Sequence, residues 1–143
     1  HICVLSDSLK HWTGAGLIDD NVDPVIAAGR IYAAPFALLS HGTEADPVIN
    51  YANHKAQELF EMDWHAFTKL PSRLSAEEPV RAERDILLKR VTENGYIDDY
   101  CGVRISSTGQ RFLIEQATVW NLLDDDGGRC GQAAMFGMWR KQA

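Results

Sequence analysis

The sequence predicts an α+β domain: a five-stranded antiparallel sheet with helices on one face, preceded by an N-terminal helical arm. Three observations carry this. The strand-favouring residues Val48, Ile49 and Tyr51 run straight into the helical spacing of Ala56, Leu59 and Phe60. A long amphipathic stretch then runs from Ser75 to Asn94. From Tyr96 onward the pattern turns to strand-like runs broken by two polar, Gly-containing turns. One domain is expected, since 143 residues with 45% apolar content suffice for a single core.

Taken in order, residues 1–35 read as the arm and residues 36–140 as the main domain. Trp12, Leu17 and Ile18 are candidate anchors in the arm. Asp23-Pro24 opens a helix to about Tyr32, because Pro loses nothing by lacking an N–H in a first helical turn. Val25, Ile26 and Ile31 would form its apolar side, and Pro35 ends it. Residues 36–40 and 48–51 read as a hairpin around a polar turn. Asn53 suits the N-cap of the next helix, through residue 60, because its side-chain oxygen accepts from a free N–H. A second short helix over 64–68 stops before Pro71.

Ser75 and Glu78 match a capping box. The helix they open should reach Asn94, with Gly95 as its stop. Val80, Ile86, Leu87 and Val91 form its apolar stripe, and Lys89 and Arg90 near its end suit the helix dipole. Strands over 96–106, 111–123 and 130–139 complete an antiparallel meander.

Composition narrows function. A net charge of −6 argues against a nucleic-acid phosphate footprint, which needs clustered Lys and Arg. No apolar run approaches the roughly 20 residues that span a bilayer. Three cysteines without a CxxC pair point to reduced thiols and a cytoplasmic setting. No signal peptide is visible, and the chain begins at His1 rather than Met.

The element order resembles the PAS fold, a small-molecule sensor domain. The segment with Tyr51, Ala52, Asn53, Ala56, Leu59 and Phe60 looks like the PAS junction of second strand and first helix. Asp124-Asp125-Asp126-Gly127 looks like the PAS turn between the last two strands. A closer resemblance is to the MEKHLA family, a PAS-like group. It is carried by Leu39-Ser40-His41-Gly42-Thr43, by Asp46-Pro47-Val48-Ile49-Asn50-Tyr51-Ala52-Asn53 and by Leu70-Pro71-Ser72-Arg73-Leu74-Ser75-Ala76-Glu77. Gly95-Tyr96-Ile97-Asp98-Asp99-Tyr100, Glu115-Gln116-Ala117-Thr118-Val119-Trp120-Asn121 and Gly131-Gln132-Ala133-Ala134 continue it. The family takes its name from plant homeodomain–leucine zipper transcription factors and also occurs as small stand-alone proteins in bacteria and algae, the kind this chain resembles. The resemblance implies a PAS-like fold with a sensory or regulatory role. It brings no cofactor and no catalytic residues, and DNA binding does not carry over.

In such a fold a ligand, if any, lies between the concave sheet face and the helices. Alternation places Cys101, Val103 and Ile105 on one face of the third strand, and Phe112, Ile114, Gln116 and Thr118 on one face of the fourth. On the fifth, Cys130, Gln132, Ala134 and Phe136 share a face. Gln116 and Gln132 interrupt apolar strands, and a buried Gln must find a hydrogen-bond partner, from ligand, backbone or water. Trp64, Phe67 and Trp120 would wall a cavity for a flat or apolar ligand, although core packing alone also explains them.

No metal site is expected, since the five histidines form no HxH or HxxxH pair. His54 or His65 could serve as an axial haem ligand, but a surface position accounts for either. Cys101 lacks the helical Asn-Cys-Arg setting of flavin photoreceptors and reads as a small buried hydrophobe. Asp98, Asp99 and Glu115 could be imagined as acid–base carboxylates, but pairing with Arg104 and Arg111 explains them structurally. The expectation is therefore a non-enzymatic sensory module that binds a small molecule. The alternative is a ligand-free interaction or dimerisation module, with the arm and outer sheet face forming a homodimer interface and an unknown downstream protein as partner.

Overall fold

In a computed structural model, which describes residues 1–19 and 21–142 and all of their side chains except those of residues 78–81, two helices precede the sheet. These are α1 (Ile2–Thr13) and α2 (Pro24–Tyr32). There follow β1 (Ala37–His41), β2 (Ile49–Ala52), α3 (His54–Phe60), α4 (Trp64–Phe67), a 3-10 turn (Ser72–Ser75) and α5 (Glu78–Asn94). The chain ends in β3 (Tyr96–Ile105), β4 (Arg111–Leu123), β5 (Arg129–Phe136) and β6 (Met138–Gln142).

The strands form one antiparallel sheet in the order β2-β1-β5-β4-β3. The last strand expected over 130–139 is split at Gly137. β5 pairs with β4 from Thr118 to Leu123, and β6 pairs with it from Arg111 to Glu115. Between the two stretches stands Gln116 at φ 50°, a left-handed residue inside a strand.

Alternation along the strands feeds two hydrophobic layers. On the inner face, Phe112, Ile114 and Phe136 of the sheet pack with Phe60 of α3 and Phe67 of α4. On the outer face, Trp120, Leu122, Leu38 and Tyr51 are covered by Leu5 and Leu9 of α1 and Ile31 of α2. The sequence reading left residues 1–22 as mixed; Leu5, Leu9 and Trp12 show the helical spacing that α1 uses. Trp12 Nε1 donates to Asn121 O at 3.0 Å, and Trp120 Nε1 donates to Leu5 O at 3.2 Å. Leu17 and Ile18 anchor as expected, their N–H groups donating to Ser6 Oγ. Gly95, the C-cap of α5, sits at φ 95°, and a Cβ there would lie 2.4 Å from the Trp12 ring. The site therefore needs glycine both for its conformation and for its clearance.

Three local expectations are corrected. Ser75 does not cap α5: it lies in the 3-10 turn and donates to Ser72 O at 2.8 Å, while Glu77 is the N-cap. Pro79 fits the first turn of a helix that starts too late for Ser75 to reach. The side chains of Glu78 and Val80 lie outside the described residues. On α2, Val25 is 80% exposed and Ile26 is exposed too; Ala27 and Ile31 are the buried pair. On α5, Ile86 faces solvent, while Val91 is buried and Leu87 packs on the core.

Asn53 ties this architecture together. Its Oδ1 accepts from Ala56 N at 3.1 Å, capping α3, and from Leu38 N at 3.0 Å in β1. Its Nδ2 donates to Ile31 O at 3.1 Å and Phe36 O at 2.8 Å. Replacing Asn53 with Ala removes a cap and strands buried backbone groups, so a loss of about 2–4 kcal/mol is expected. Urea denaturation should show it as a lower midpoint at unchanged slope.

Candidate functional site

A cavity of about 60 Å³ lies between the concave face of the sheet and α5. Much of its wall is apolar: Leu39, Ile49, Leu88, Val119, Ala134 and Phe136 line it. One part is polar, with His41, Ser72, Ser75, Arg84 and Gln132. A second cleft of about 250 Å³, between Lys55, Glu58, Trp139 and Lys141, lies at the surface.

His41 and Gln132 are directly opposed partners in the β1–β5 register. Their exposures are only 7% and 2%. The Gln132 amide is oriented by its surroundings. Its Nε2 lies 3.1 Å from Leu88 O, 2.9 Å from Thr92 Oγ1 and 3.0 Å from Asn121 Oδ1. Three acceptors around one end fix which end is nitrogen. The other end, Oε1, is buried without a hydrogen-bond partner. His41 Nδ1 donates to Gly42 O at 2.9 Å, leaving Nε2 buried and also without a partner. Burial, then the backbone contact, then the charges of Arg84 and Arg129 act on the imidazole. Desolvation dominates and lowers its pKa below the ordinary 6.5, against the opposing pull of Gly42 and Glu44.

Arg84 is buried on α5, its Nη2 donating to Ser72 Oγ and its Nη1 lying 3.5 Å from Asp85 Oδ1. It stands at helical spacing with Leu87, Leu88 and Val91, a cation inside an apolar stripe. That out-of-place charge was the sequence signal for Arg84. His41, alternating with Ala37 and Leu39, carried a similar one.

Of the residues expected at a cavity, Ile114, Gln132, Ala134 and Phe136 do line it. Phe67 and Phe112 are buried beside it, packed on Phe60 with ring centroids 5.1 and 5.0 Å away. The others fall elsewhere. Gln116 is exposed, because a bulge in β4 puts Ile114 and Ala117, not Gln116 and Thr118, on the concave side. A register shift at Asp98 and Asp99 turns Tyr100 and Arg104 inward in place of Cys101, Val103 and Ile105. Cys101 is therefore exposed rather than buried. Trp120 is fully buried, but on the outer face under α1. Trp64 is 42% exposed and set edge-on against Tyr51. Cys130 packs on the outer layer.

The expected ion pairs are also rearranged. Arg111 pairs with Glu77, holding that carboxyl below its usual range, and Glu115 pairs with Arg140 of β6. Arg104 lies over the Tyr100 ring at 5.3 Å, and Asp98 and Asp99 face solvent. His54 and His65 are exposed, His54 beside Glu58 and His65 accepting from Lys69 Nζ. Among the described residues no three His, Cys, Asp or Glu side chains converge as metal ligands.

The MEKHLA domain model matches residues 1–141. The chain belongs to the MEKHLA domain family. Homeobox-leucine zipper protein ATHB-14 of Arabidopsis thaliana is 32% identical over 97 residues, covering 68% of this chain and 11% of its own length. Homeobox-leucine zipper protein ATHB-9 of the same plant is 27% identical over 84 residues, covering 59% of this chain and 10% of its own. This MEKHLA chain thus spans about a tenth of these curated relatives. An RNA-binding light-oxygen-voltage receptor superposes with a TM-score of 0.69 at 17% identity, over 85% of this chain and 34% of that one. The PAS domain of a protein from Colwellia psychrerythraea gives 0.64 at 12% identity, over 82% and 95%. The MEKHLA fold is therefore PAS-like.

Two outcomes follow. Gln116→Gly should be neutral or stabilise by up to about 1 kcal/mol, since Gly adopts a left-handed φ freely, whereas Gln116→Val should cost about 1–2 kcal/mol. Paired urea titrations measure both. For His41, the unfolded chain takes up a proton below about pH 6.5 that the folded protein resists. The stability His41 contributes is whole above that pH and is lost as pH falls toward the lowered folded pKa. His41→Phe should flatten that part of the stability–pH curve, read from denaturation midpoints between pH 7.5 and 5.

Proposed function

We propose that this MEKHLA domain is a sensory or regulatory module that holds a small molecule between the sheet and α5 without transforming it. One observation carries the reading: His41 Nε2 and Gln132 Oε1, two buried polar atoms lacking partners, belong to residues lining one cavity between the sheet and α5. Buried polar groups are ordinarily satisfied, and one left bare costs about 1–3 kcal/mol. A bound molecule supplies what the chain withholds.

The same residue offers a route for output. Gln132 reaches Leu88 and Thr92 near the end of α5, so a ligand engaging its amide acts on the contact that seats this helix. In a stand-alone chain of the bacterial or algal kind the signal would pass to a partner protein or a second copy. Free Cys3, Cys101 and Cys130 fit a cytoplasmic setting. A flavin analogue bears on the mechanism of a light-oxygen-voltage domain of similar fold, but a flavin does not fit here. The cavity is about 60 Å³, far below the roughly 300–1,000 Å³ of pockets for drug-sized ligands. Among the described residues no cysteine lines it.

Native mass spectrometry of the purified protein should show a retained mass. Ala134→Phe, which fills the cavity at a cost of about 1–3 kcal/mol in stability, should abolish it. Wild-type protein that carries nothing from any source and gains nothing from a metabolite mixture would sink the reading.

The second reading is a ligand-free dimerisation module. Val25, Ile26 and Tyr32 of α2 are exposed together, at 80%, 53% and 40%. The outer sheet face around Trp120 is already covered by α1, so α2 would supply the interface instead. Light scattering should then report a dimer that Val25→Asp dissociates; a strict monomer removes this reading.

A further inference from the structure

We propose that the cavity selects a small uncharged molecule with a primary carboxamide head and a short apolar body. The inference rests on the cavity being a ligand site, and it names the chemistry of that ligand.

The head group follows from the bare atoms. Nδ1–H of His41 is committed to Gly42 O, so in the neutral imidazole Nε2 presents a lone pair. Nε2 of Gln132 is committed to Leu88 O, Thr92 Oγ1 and Asn121 Oδ1, so only its carbonyl oxygen remains. His41 and Gln132 are cross-strand partners lining one cavity, so the two bare acceptors belong to neighbouring side chains. Two acceptors do not satisfy one another. A primary amide NH₂ offers two donors from one atom and meets both. Its carbonyl oxygen is favoured by the positive field of Arg84, which lines the same cavity.

The competing head groups fail for separate reasons. A carboxylate brings acceptors against acceptors. A ketone or ester brings no donor. An ammonium brings donors, but also a positive charge close to Arg84 and Arg129, which already act on His41. The body is set by the apolar wall and by size. About 60 Å³ holds about four to six water-sized groups, at roughly 10–15 Å³ each, which suits a few carbons beside the amide head and excludes a ring system.

The test uses the whole chain and four molecules of matched shape: isobutyramide, isobutyrate, 3-methyl-2-butanone and isobutylammonium. Chemical-shift titration should show isobutyramide binding at least about tenfold more tightly than the other three. Gln132→Leu and His41→Phe should each remove about tenfold of that preference. The wild-type comparison decides the matter alone should either variant misfold. Equal or tighter binding of the acid, ketone or ammonium overturns the head-group assignment while leaving the cavity a ligand site. Binding by none of the four, with only a water between His41 and Gln132 in a crystal structure, also overturns it. The broader reading is then judged separately, by the mass retained in native spectrometry.

Discussion

The side chain of Asn53 is the contact on which the arrangement of this domain depends. It is fully buried and serves four backbone groups from three directions: the first turn of α3, the start of β1, and the end of α2. Each of those groups would otherwise be an orphan in the interior. Asn is nearly alone in having a donor and an acceptor on so short a stem; Asp lacks the donor and Gln reaches too far. β1 lies between β2 and β5 in the sheet, and the bond from Leu38 N to Asn53 holds it one residue before Leu39, which lines the cavity with His41.

Asn53 was legible in the sequence as a cap, because a polar residue between a strand pattern and a helix pattern has few other uses. Its two donated bonds were not legible, since Ile31 and Phe36 come close only through tertiary packing. The strands divide in the same way. Their existence and order could be read from period and turns, and β5 kept its alternation from Gln132 onward, so Gln132, Ala134 and Phe136 line the cavity as the pattern implied, while a register shift beside Cys130 turns that residue outward. β3 and β4 did not keep theirs. One extra residue near Asp98–Asp99 and another at Gln116 shift everything beyond them to the opposite face. A bulge leaves no mark in a hydrophobic pattern when the flanking residues are of mixed polarity, as Cys101, Gly102, Val103 and Arg104 are.

α1 shows the complementary limit. Its apolar positions were present in the sequence, but its buried residues include the polar Ser6 and Ser8 beside Leu5 and Leu9, and such a pattern does not announce what it covers. Only the fold shows that Trp120 needs them. Burying an indole of this size is worth roughly 5 kcal/mol, and a sheet covered on one face alone would forgo it. The two faces are also linked through adjacent residues. Trp120 faces α1 and its neighbour Asn121 faces α5, where its Nδ2 donates to Val91 O at 2.8 Å. Asn121 O meanwhile accepts from Trp12 of α1. A single residue of β4 thus joins the outer helix to the inner one.

That junction decides what a molecule in the cavity could move. Gln132 shares the Asn121 side chain with Arg129, whose Nε donates to Asn121 Oδ1 at 3.3 Å. The Gln132 amide thus shares a side chain that also bonds Val91 O of α5, on a residue whose backbone carbonyl accepts from Trp12 of α1. The apolar core on either side is close-packed and resists graded deformation. The polar floor is where rearrangement is least resisted, because its hydrogen bonds can be exchanged for others of similar strength while its neighbours stay in place. Under the proposed ligand reading, a fold whose inner cavity ends on that floor, and whose two flanking helices are both tied to it, would have its responsive element where the bare acceptors stand.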